Sequence, residues 1–370
     1  MFCSKCGHEL KDENVSFCKF CGSKVSSNFD DSSDAISGLG EKITIEKITE
    51  KINNLAGGQG SVELHMRDLF VDVFKKHEAY ESEEIFICGT CKTTPSESEI
   101  ATSWPRPWLY SRVLAALAIT YFILLLCWNF FSNENVIPGL IFIGSLMAPF
   151  AVLIFFFEIN VPRNISIVEI VKVFFVGGCA SLLLTLFLFS ISSNNSLDLI
   201  GATITGIIEE IGKMLIVAYY VSKMNGKKYL LNGIVLGGAV GAGFAVFESA
   251  GYAFRNLWQT GSMQQMFDTI YLRAFLSAGG HVAWAAVSGF AIILVMKDVE
   301  GFDWGKLIDK KFLSIFLIPI VLHAMWDWDV LINILGIFNS IILIVAIWIV
   351  LLVFIDRGLR EINEIQTKKN

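Results

Sequence analysis

The sequence has few charged residues, few prolines and no large excess of basic charge. Charged residues make up 17% of its 370 residues, and there are only 7 prolines. A typical soluble domain carries roughly 25% charged residues. The formal net charge is -6, so no broad basic face is available for a phosphate backbone. This composition excludes an ordinary cytosolic enzyme, a disordered protein and a typical nucleic-acid-binding protein.

Hydrophobic residues, which make up 54% of the chain, are concentrated between Val113 and Ile355. A membrane-spanning helix needs about 20 mostly apolar residues. Eight runs of suitable length cover 113–131, 136–157, 165–191, 197–221, 229–254, 268–296, 312–334 and 337–355. The sequence therefore predicts an all-α polytopic membrane protein with about eight transmembrane helices, preceded by a small cysteine-rich module.

Lysine and arginine occur in every second loop between these runs. The loops 132–135 and 192–196 contain neither residue, and 255–267 contains only Arg255. Basic loops face the cytoplasm. We therefore expect a multi-pass protein of the cell membrane with both termini cytoplasmic. The N-terminus lacks the basic and apolar pattern of a signal peptide.

The predicted domains follow the same composition. They are a zinc ribbon at 1–25, a linker at 26–60, a cytoplasmic juxtamembrane region at 61–112, a transmembrane core at 113–356 and a cytoplasmic tail at 357–370. Within the linker, the spacing of apolar residues predicts a short helix over 41–55. Within 61–80, Leu69, Phe70, Val73 and Phe74 share one face of a predicted helix, which could lie on the membrane or pack in a small core.

Four cysteines near the N-terminus form two CxxC pairs separated by 11 residues: Cys3, Cys6, Cys18 and Cys21. Four thiolates at this spacing suit tetrahedral zinc. The alternative is two disulfides, which a cytoplasmic location disfavours. The module resembles the small zinc ribbons of many prokaryotic membrane proteins. Because all four ligands are cysteines, we expect a structural zinc and a role in binding a cytoplasmic protein partner, or in self-association, rather than in catalysis. It lacks a dense basic stripe, which argues against nucleic-acid binding.

A further CxxC pair, Cys88 and Cys91, has no second pair beside it. Three interpretations are open: a second metal site completed by His65 or His77, a redox pair, or two incidental thiols in a loop.

Ionisable residues lie inside four consecutive apolar runs. A charge at the bilayer centre costs about 3 kcal/mol, so such residues usually face the bundle interior and serve a function. Counted from the ends of their runs, Glu209, His281 and His323 lie at a similar depth near the membrane midplane. The full set is Glu209, Glu210, Lys213, Glu248, His281, His323 and Asp327.

These residues form four ordered motifs. Glu209-Glu210-Ile-Gly-Lys213 has the pattern EExxK. The other three are FxxxExxxY at Phe244, Glu248 and Tyr252, a His281 followed by Gly289, and HxxxD at His323 and Asp327. With these motifs the chain resembles, over roughly 110–355, the PrsW family of intramembrane proteases. That family is related to type II CAAX prenyl endopeptidases and bacteriocin-processing proteins.

The resemblance implies hydrolysis of peptide bonds within or beside the lipid bilayer. The implied substrate is a membrane-anchored protein or peptide, since some members are described as cutting an anti-sigma factor. The implied catalytic residues are Glu209, Glu210, Lys213, Phe244, Glu248, His281, His323 and Asp327.

Two mechanisms fit these residues. In the first, Glu209 is the general base, Glu210 holds a proton or positions water, and His281 and His323 stabilise the oxyanion. In the second, His281, His323 and a glutamate bind Zn²⁺, which activates water. We favour the glutamate version because the sequence lacks a HExxH pair and because of what is argued for the related CAAX proteases.

Two other functions are open. Buried Glu, His and Lys residues also build proton-coupled transporters and channels. Hydropathy shows neither an inverted repeat nor paired broken helices, which argues against a transporter. The third interpretation is a non-catalytic membrane receptor, with the zinc ribbon as its effector-binding arm.

Overall fold

The computed structural model describes residues 44–90, 92–192 and 198–368. The four cysteines of the predicted zinc ribbon, and Cys91, lie outside these residues. The described residues form helices and no strand. The helices are α1 (Ile45–Leu55), α2 (Ala79–Phe86), α3 (Leu109–Phe131), α4 (Ile137–Ile159), α5 (Ile167–Lys172), α6 (Gly178–Ile191), α7 (Leu199–Lys223), α8 (Leu230–Thr260), α9 (Met263–Leu276), α10 (His281–Met296), α11 (Lys310–Asp327), α12 (Asp329–Leu335) and α13 (Ile337–Thr367).

Several of these helices are long and apolar enough to cross a membrane. In the described residues six continuous helical stretches qualify, and the bent pair α11–α12 raises the number to seven. Helix α7 has 25 residues, but Glu209, Glu210 and Lys213 at its centre keep it outside this set. The chain is therefore a multi-pass membrane protein, whereas the predicted count of eight spans is not confirmed.

Two of the predicted spans are interrupted. A short 3₁₀ turn over Ser277–Gly279 separates α9 from α10, and α12 turns away from α11 by 64°. Average hydropathy shows neither break, because the first lies among small residues from Ser277 to Gly280 and at the second the apolar residues on both sides outweigh Asp327 and Asp329. The described residues thus contain one sharply bent pair, α11–α12, whereas the transporter pattern that the sequence lacks is a pair of broken helices in corresponding positions of an inverted repeat.

Contacts between helix ends show which ends lie on the same side. The N–H of Leu230 at the start of α8 donates to Glu361 of α13. Lys297, after α10, reaches the same carboxylate at 2.8 Å. Gln366 near the end of α13 donates to the carbonyl oxygen of Glu97. We call this the basic side, since the basic loops lie here, and the other the opposite side.

A row of glycines brings α8 and α10 into backbone contact. A Cβ atom on Gly233, Gly237 or Gly241 would overlap backbone oxygens of α10. Small residues at every fourth position allow such close approach. The four-residue spacing is visible in the sequence, but the partner helix, α10, is shown only by the structure.

The cytoplasmic predictions have a mixed outcome. The short helix expected within 41–55 is present as α1. The amphipathic helix predicted over 61–80 is wrong, because residues 66–75 form successive turns and α2 begins at Ala79. Carbonyl oxygens that a helix would use bind side chains instead: Tyr110 donates to the Leu69 oxygen, and His77 Nε2 lies 2.8 Å from the Asp72 oxygen.

Candidate active site

A cavity of about 230 Å³ lies between α7, α8, α9, α10 and α11. Side chains from each of these helices line it. Five of the eight residues singled out from the sequence are among them: Glu209, Glu248, His281, His323 and Asp327. The other three, Glu210, Lys213 and Phe244, are buried directly behind the lining.

Glu209 and two imidazoles form the centre of this cluster. The Glu209 Oε2 atom lies 3.6 Å from His323 Nε2 and 3.8 Å from His281 Nδ1. One donor atom from each of the three residues lies within 4.8 Å of the others. Residues from three of the predicted spans therefore come together at one site.

Each imidazole is held from behind by a second carboxylate. His281 Nε2 lies 3.0 Å from Glu248 Oε2, and His323 Nδ1 lies 2.9 Å from Glu210 Oε1. An ionised carboxylate only accepts hydrogen bonds, so these two ring nitrogens donate. The carboxylates therefore fix the tautomers and leave His281 Nδ1 and His323 Nε2 facing Glu209.

The surroundings of His323 Nε2 are unusually rich in negative charge. Asp327 Oδ2 lies 3.3 Å from this nitrogen, and Glu209 Oε2 lies 3.6 Å from it. A lone pair on Nε2 would face two carboxylate oxygens without a hydrogen between them. A proton or a cation must therefore lie among these three atoms.

Lys213 links the two halves of the cluster. Its Nζ atom lies 2.7 Å from Glu210, 3.5 Å from Glu209 and 2.8 Å from His281 Nδ1. The ammonium also lies 4.3 Å from the Phe244 ring centroid, a favourable cation–π distance. Glu209 at i,i+4 and Glu210 at i,i+3 are both within reach of Lys213 on one helix, and Glu210 is the nearer of the two.

Glu210 is fully buried and does not line the cavity. Its carboxylate contacts His323 and Lys213. Trp284 of α10 forms another wall, with its ring stacked 4.5 Å from that of His323. These contacts orient the two side chains that face Glu209.

The sequence analysis missed Arg273. This residue of α9 forms an ion pair with Glu248 and donates from Nε to Ser249 Oγ at 2.8 Å. It lies inside the predicted run 268–296, so the rule that selected the other ionisable residues could have found it. With Arg273 included, four carboxylates face two permanent cations, which leaves an excess charge of -2 when both imidazoles are neutral.

The central donor set fits a divalent metal ion. Two imidazole nitrogens and one carboxylate oxygen are a common zinc ligand set, and both imidazoles have the supporting carboxylates usual in metal sites. In the described part of the chain this is the one group of its kind. Lys213 competes with such an ion, because the single lone pair of His281 Nδ1 already accepts from its ammonium.

The structure bears on two interpretations of Cys88, a metal site completed by His65 or His77 and a redox role. His77 contacts Glu81 and stacks on Trp108 at 3.7 Å. His65 lies against Asp68. Both imidazoles are thus engaged away from a thiol. Cys88 is itself buried, and burial raises the pKa of its thiol, which favours an inert packing role over a redox role.

Comparison with known proteins gives one match. A family model described as PrsW family intramembrane metalloprotease matches residues 166–355. The matched region is about half of the chain and contains every residue of the cluster described above. No match was found among curated proteins or among solved structures.

Proposed function

The chain belongs to the PrsW family of intramembrane metalloproteases, and on that premise we propose that it cleaves peptide bonds of membrane-anchored proteins at this cavity. One observation carries the proposal: Glu209 and two imidazoles converge within 4.8 Å in a cavity inside a multi-pass membrane protein. Such a set can activate water and stabilise an oxyanion, which are the two requirements of peptide hydrolysis.

Glu209 is the proposed general base. Its Oε2 atom takes a proton from a water molecule while the water oxygen attacks the carbonyl carbon of the scissile bond. Glu209 then passes this proton to the amide nitrogen as the C–N bond breaks. The products are a carboxylic acid and an amine, so one water is consumed and no other reactant is needed.

His323 is the proposed oxyanion stabiliser. The proton that lies between His323 Nε2 and the oxygens of Glu209 and Asp327 can move into a hydrogen bond with the oxyanion. His281 begins α10, so the positive end of that helix dipole also lies beside the cavity. Glu210, Glu248 and Asp327 orient the imidazoles, and Phe244 holds Lys213 in place.

Two mechanisms remain candidates, and the contact between Lys213 and His281 favours the glutamate type. When bound by Glu209, His281 and His323, a metal ion would polarise the carbonyl and activate water as a Lewis acid. The donor set and the family description support this second candidate. It requires Lys213 to leave His281 Nδ1, whereas the glutamate mechanism uses the contact as it stands.

Zinc content separates the two mechanisms. We expect His323→Gln to leave the zinc content of the purified full-length protein unchanged in elemental analysis, and we expect chelators to leave cleavage intact. Loss of one zinc per chain in His323→Gln would instead establish the metal mechanism. The matched variant Cys18→Ser should remove one zinc, because we propose that Cys3, Cys6, Cys18 and Cys21 hold a structural ion.

The substrate class and orientation are also proposals. The basic side would face the cytoplasm, so the zinc ribbon would be available to a cytoplasmic protein partner. The cavity would then act on the extracytoplasmic part of a membrane-anchored regulator, for which an anti-sigma-type protein is the example that the family provides.

Cleavage in proteoliposomes tests the proposed function. Wild type and Glu209→Gln would be reconstituted with single-span peptides, and fragments would be read by mass spectrometry. We expect fragments from the wild type and from Glu158→Gln, which alters a half-buried carboxylate outside the cavity, but none from Glu209→Gln. Proton or solute flux that depends on Glu209, without any peptide fragments, would overturn the protease in favour of a transporter.

A further inference from the structure

Basic residues are rare on the opposite side of the protein, and two of them meet at one tyrosine. Between Leu230 and Met296 the only lysine or arginine residues are Arg255 and Arg273. Each guanidinium carbon lies 4.6 Å from the centroid of the Tyr252 ring. Tyr252 lines the cavity that contains Glu209, so this pair of cations lies at the edge of the candidate active site.

The two arginines differ in how their charge is matched. Arg273 forms an ion pair with Glu248. Arg255 is exposed, and among the residues that the structure describes its side chain contacts the Tyr252 ring but no carboxylate. Arg255 is therefore the cation at this edge whose charge is available to a ligand.

One face of α8 connects Arg255 to the catalytic cluster. Glu248, Tyr252 and Arg255 are spaced four and three residues apart, which places them on the same side of a helix. The chain of α8 runs away from the basic side, so Arg255 lies outward of Glu248. Seven residues of helix correspond to about 10 Å. Trp258, one turn further, is 80% exposed, as is usual for tryptophan at a membrane interface.

We propose that Arg255 binds an acidic side chain of the substrate just outside the scissile bond. This inference rests on the proposed protease function and adds to it the chemistry of the substrate. Glu248 lines the same cavity as the proposed base Glu209, and the backbone of Arg255 lies about 10 Å further along the axis of α8. An extended peptide advances about 3.3 Å per residue, so this rise corresponds to about three residues of substrate. The acidic residue is therefore placed about three positions outward of the bond that is cut.

The charges along this face of α8 determine where in the cavity an acidic substrate residue can bind. The inner end of the cavity carries an excess of negative charge, from Glu209, Glu248 and Asp327 among others. It repels an acidic side chain, while Arg255 attracts one at the rim. The same polarity would position a substrate so that its uncharged scissile segment, rather than its acidic residue, reaches Glu209.

A peptide series measures this preference. Single-span peptides with one common anchor and scissile segment would carry one Asp at successive positions outward of the cut, each with a matched Asn peptide. The full-length protein would be reconstituted in phosphatidylcholine vesicles at low salt. We expect Asp about three positions from the cut to raise kcat/KM roughly threefold to fivefold over Asn, as for a partly exposed ion pair. High salt should reduce the difference.

Variants of Arg255 assign the effect to this residue. We expect Arg255→Gln to abolish the preference for Asp and Arg255→Glu to reverse it, so that a Lys peptide becomes the better substrate. Lys223→Gln is the matched control, because Lys223 is an exposed cation lying 5.7 Å from the Tyr219 ring centroid on the basic side. It should retain the preference.

The outcomes separate the inference from the function on which it rests. Equal cleavage of Asp and Asn peptides by the wild type, dependent on Glu209, overturns the inference and leaves the protease standing. A preference that persists in Arg255→Gln also overturns it. A rate that follows added phosphatidylglycerol rather than the peptide sequence assigns Arg255 to lipid headgroups instead. No Glu209-dependent fragments from any peptide would overturn both.

Discussion

Buried and half-buried carboxylates occur both on the basic side and in the cavity, and their partners differ. On the basic side, Glu158 accepts hydrogen bonds from the backbone N–H groups of Trp108, Leu109 and Tyr110 at 2.8–2.9 Å. Glu361 likewise accepts from the Leu230 N–H and from Lys297, both at 2.8 Å. Each of these carboxylates has its own donors, so its charge is matched locally.

In the cavity the carboxylates compete for too few donors. Glu209, Glu210, Glu248 and Asp327 share Lys213, Arg273 and two imidazoles. The nearest permanent cation to Glu209 is Lys213, whose ammonium is nearer to Glu210. Burial of a charge therefore does not distinguish the two regions. A shortage of partners does, and it marks the region where protons must be taken up or a cation bound.

The largest effect should come from removing charge at the centre of the cavity. We expect Glu209→Gln to lower kcat by roughly 10²–10⁴, the usual contribution of a general base. Its melting temperature should be unchanged or higher, because one of the competing negative charges is lost. Peptide cleavage and thermal unfolding in detergent check both expectations. A clear fall in melting temperature would mean that the charge of Glu209, like that of Glu158, is stabilised by its own donors.

The reverse result is expected on the basic side. Glu158→Gln replaces a charged acceptor of three backbone N–H groups, and hydrogen bonds to charged groups contribute about 1.5–3 kcal/mol. We expect the free energy of unfolding to fall by about 2 kcal/mol and kcat to stay at the wild-type value below the melting temperature. A loss of kcat in the folded Glu158→Gln protein would contradict the assignment of Glu158 to stability alone.

Removal of Arg273 tests whether the cavity can lose one more cation and still function. Arg273→Gln leaves Glu248 with His281 alone and changes the excess charge from -2 to -3. We expect kcat to fall roughly tenfold, which corresponds to about 1.4 kcal/mol, because the imidazole of His281 is displaced. The change in KM should be smaller. Arg273→Lys should recover part of the rate, since it keeps the charge but loses the bond to Ser249. Equal loss in both variants would indicate a packing role.

The smallest effect should come from an exposed pair on the basic side. Lys227 and Glu97 lie 2.7 Å apart with side chains 45% and 23% exposed. Exposed ion pairs contribute about 0–1 kcal/mol. We expect Lys227→Gln to change the free energy of unfolding by less than about 1 kcal/mol and kcat not at all. A larger loss in chemical unfolding would show that the basic side depends on exposed charges as well.

Local spacing predicted much of the candidate site. The four-residue intervals from Glu209 to Lys213 and from His323 to Asp327 placed each pair on one helix face, and the structure has both contacts. Counting residues from the span ends placed Glu209, His281 and His323 at one depth. Helix geometry alone is sufficient for the two pairings, because α7 and the relevant part of α11 are regular, whereas the count to His281 crosses the 3₁₀ turn at Ser277–Gly279.

What the sequence could not predict depends on contacts between distant segments. The glycine strip of α8 allows close packing against any helix with small residues, so its spacing does not predict that the partner is α10. The break before His281 lies among apolar residues, so hydropathy carried no sign of it. In the turns at 66–75, the carbonyl oxygens of Leu69 and Asp72 contact the side chains of Tyr110 and His77, and local spacing carries no information about these partners.

The glycine contact between α8 and α10 has a consequence for motion. Backbones packed this closely cannot slide without collision, so Glu248 and His281 move together as parts of one rigid body. The neighbouring helices have breaks in their α-helical hydrogen bonding, at the 3₁₀ turn Ser277–Gly279 after α9 and at Trp328 after α11. Hinge motions are absorbed at a few such positions. We therefore expect a peptide to reach Glu209 by displacement of α9 or α11, with the α8–α10 pair as the fixed frame.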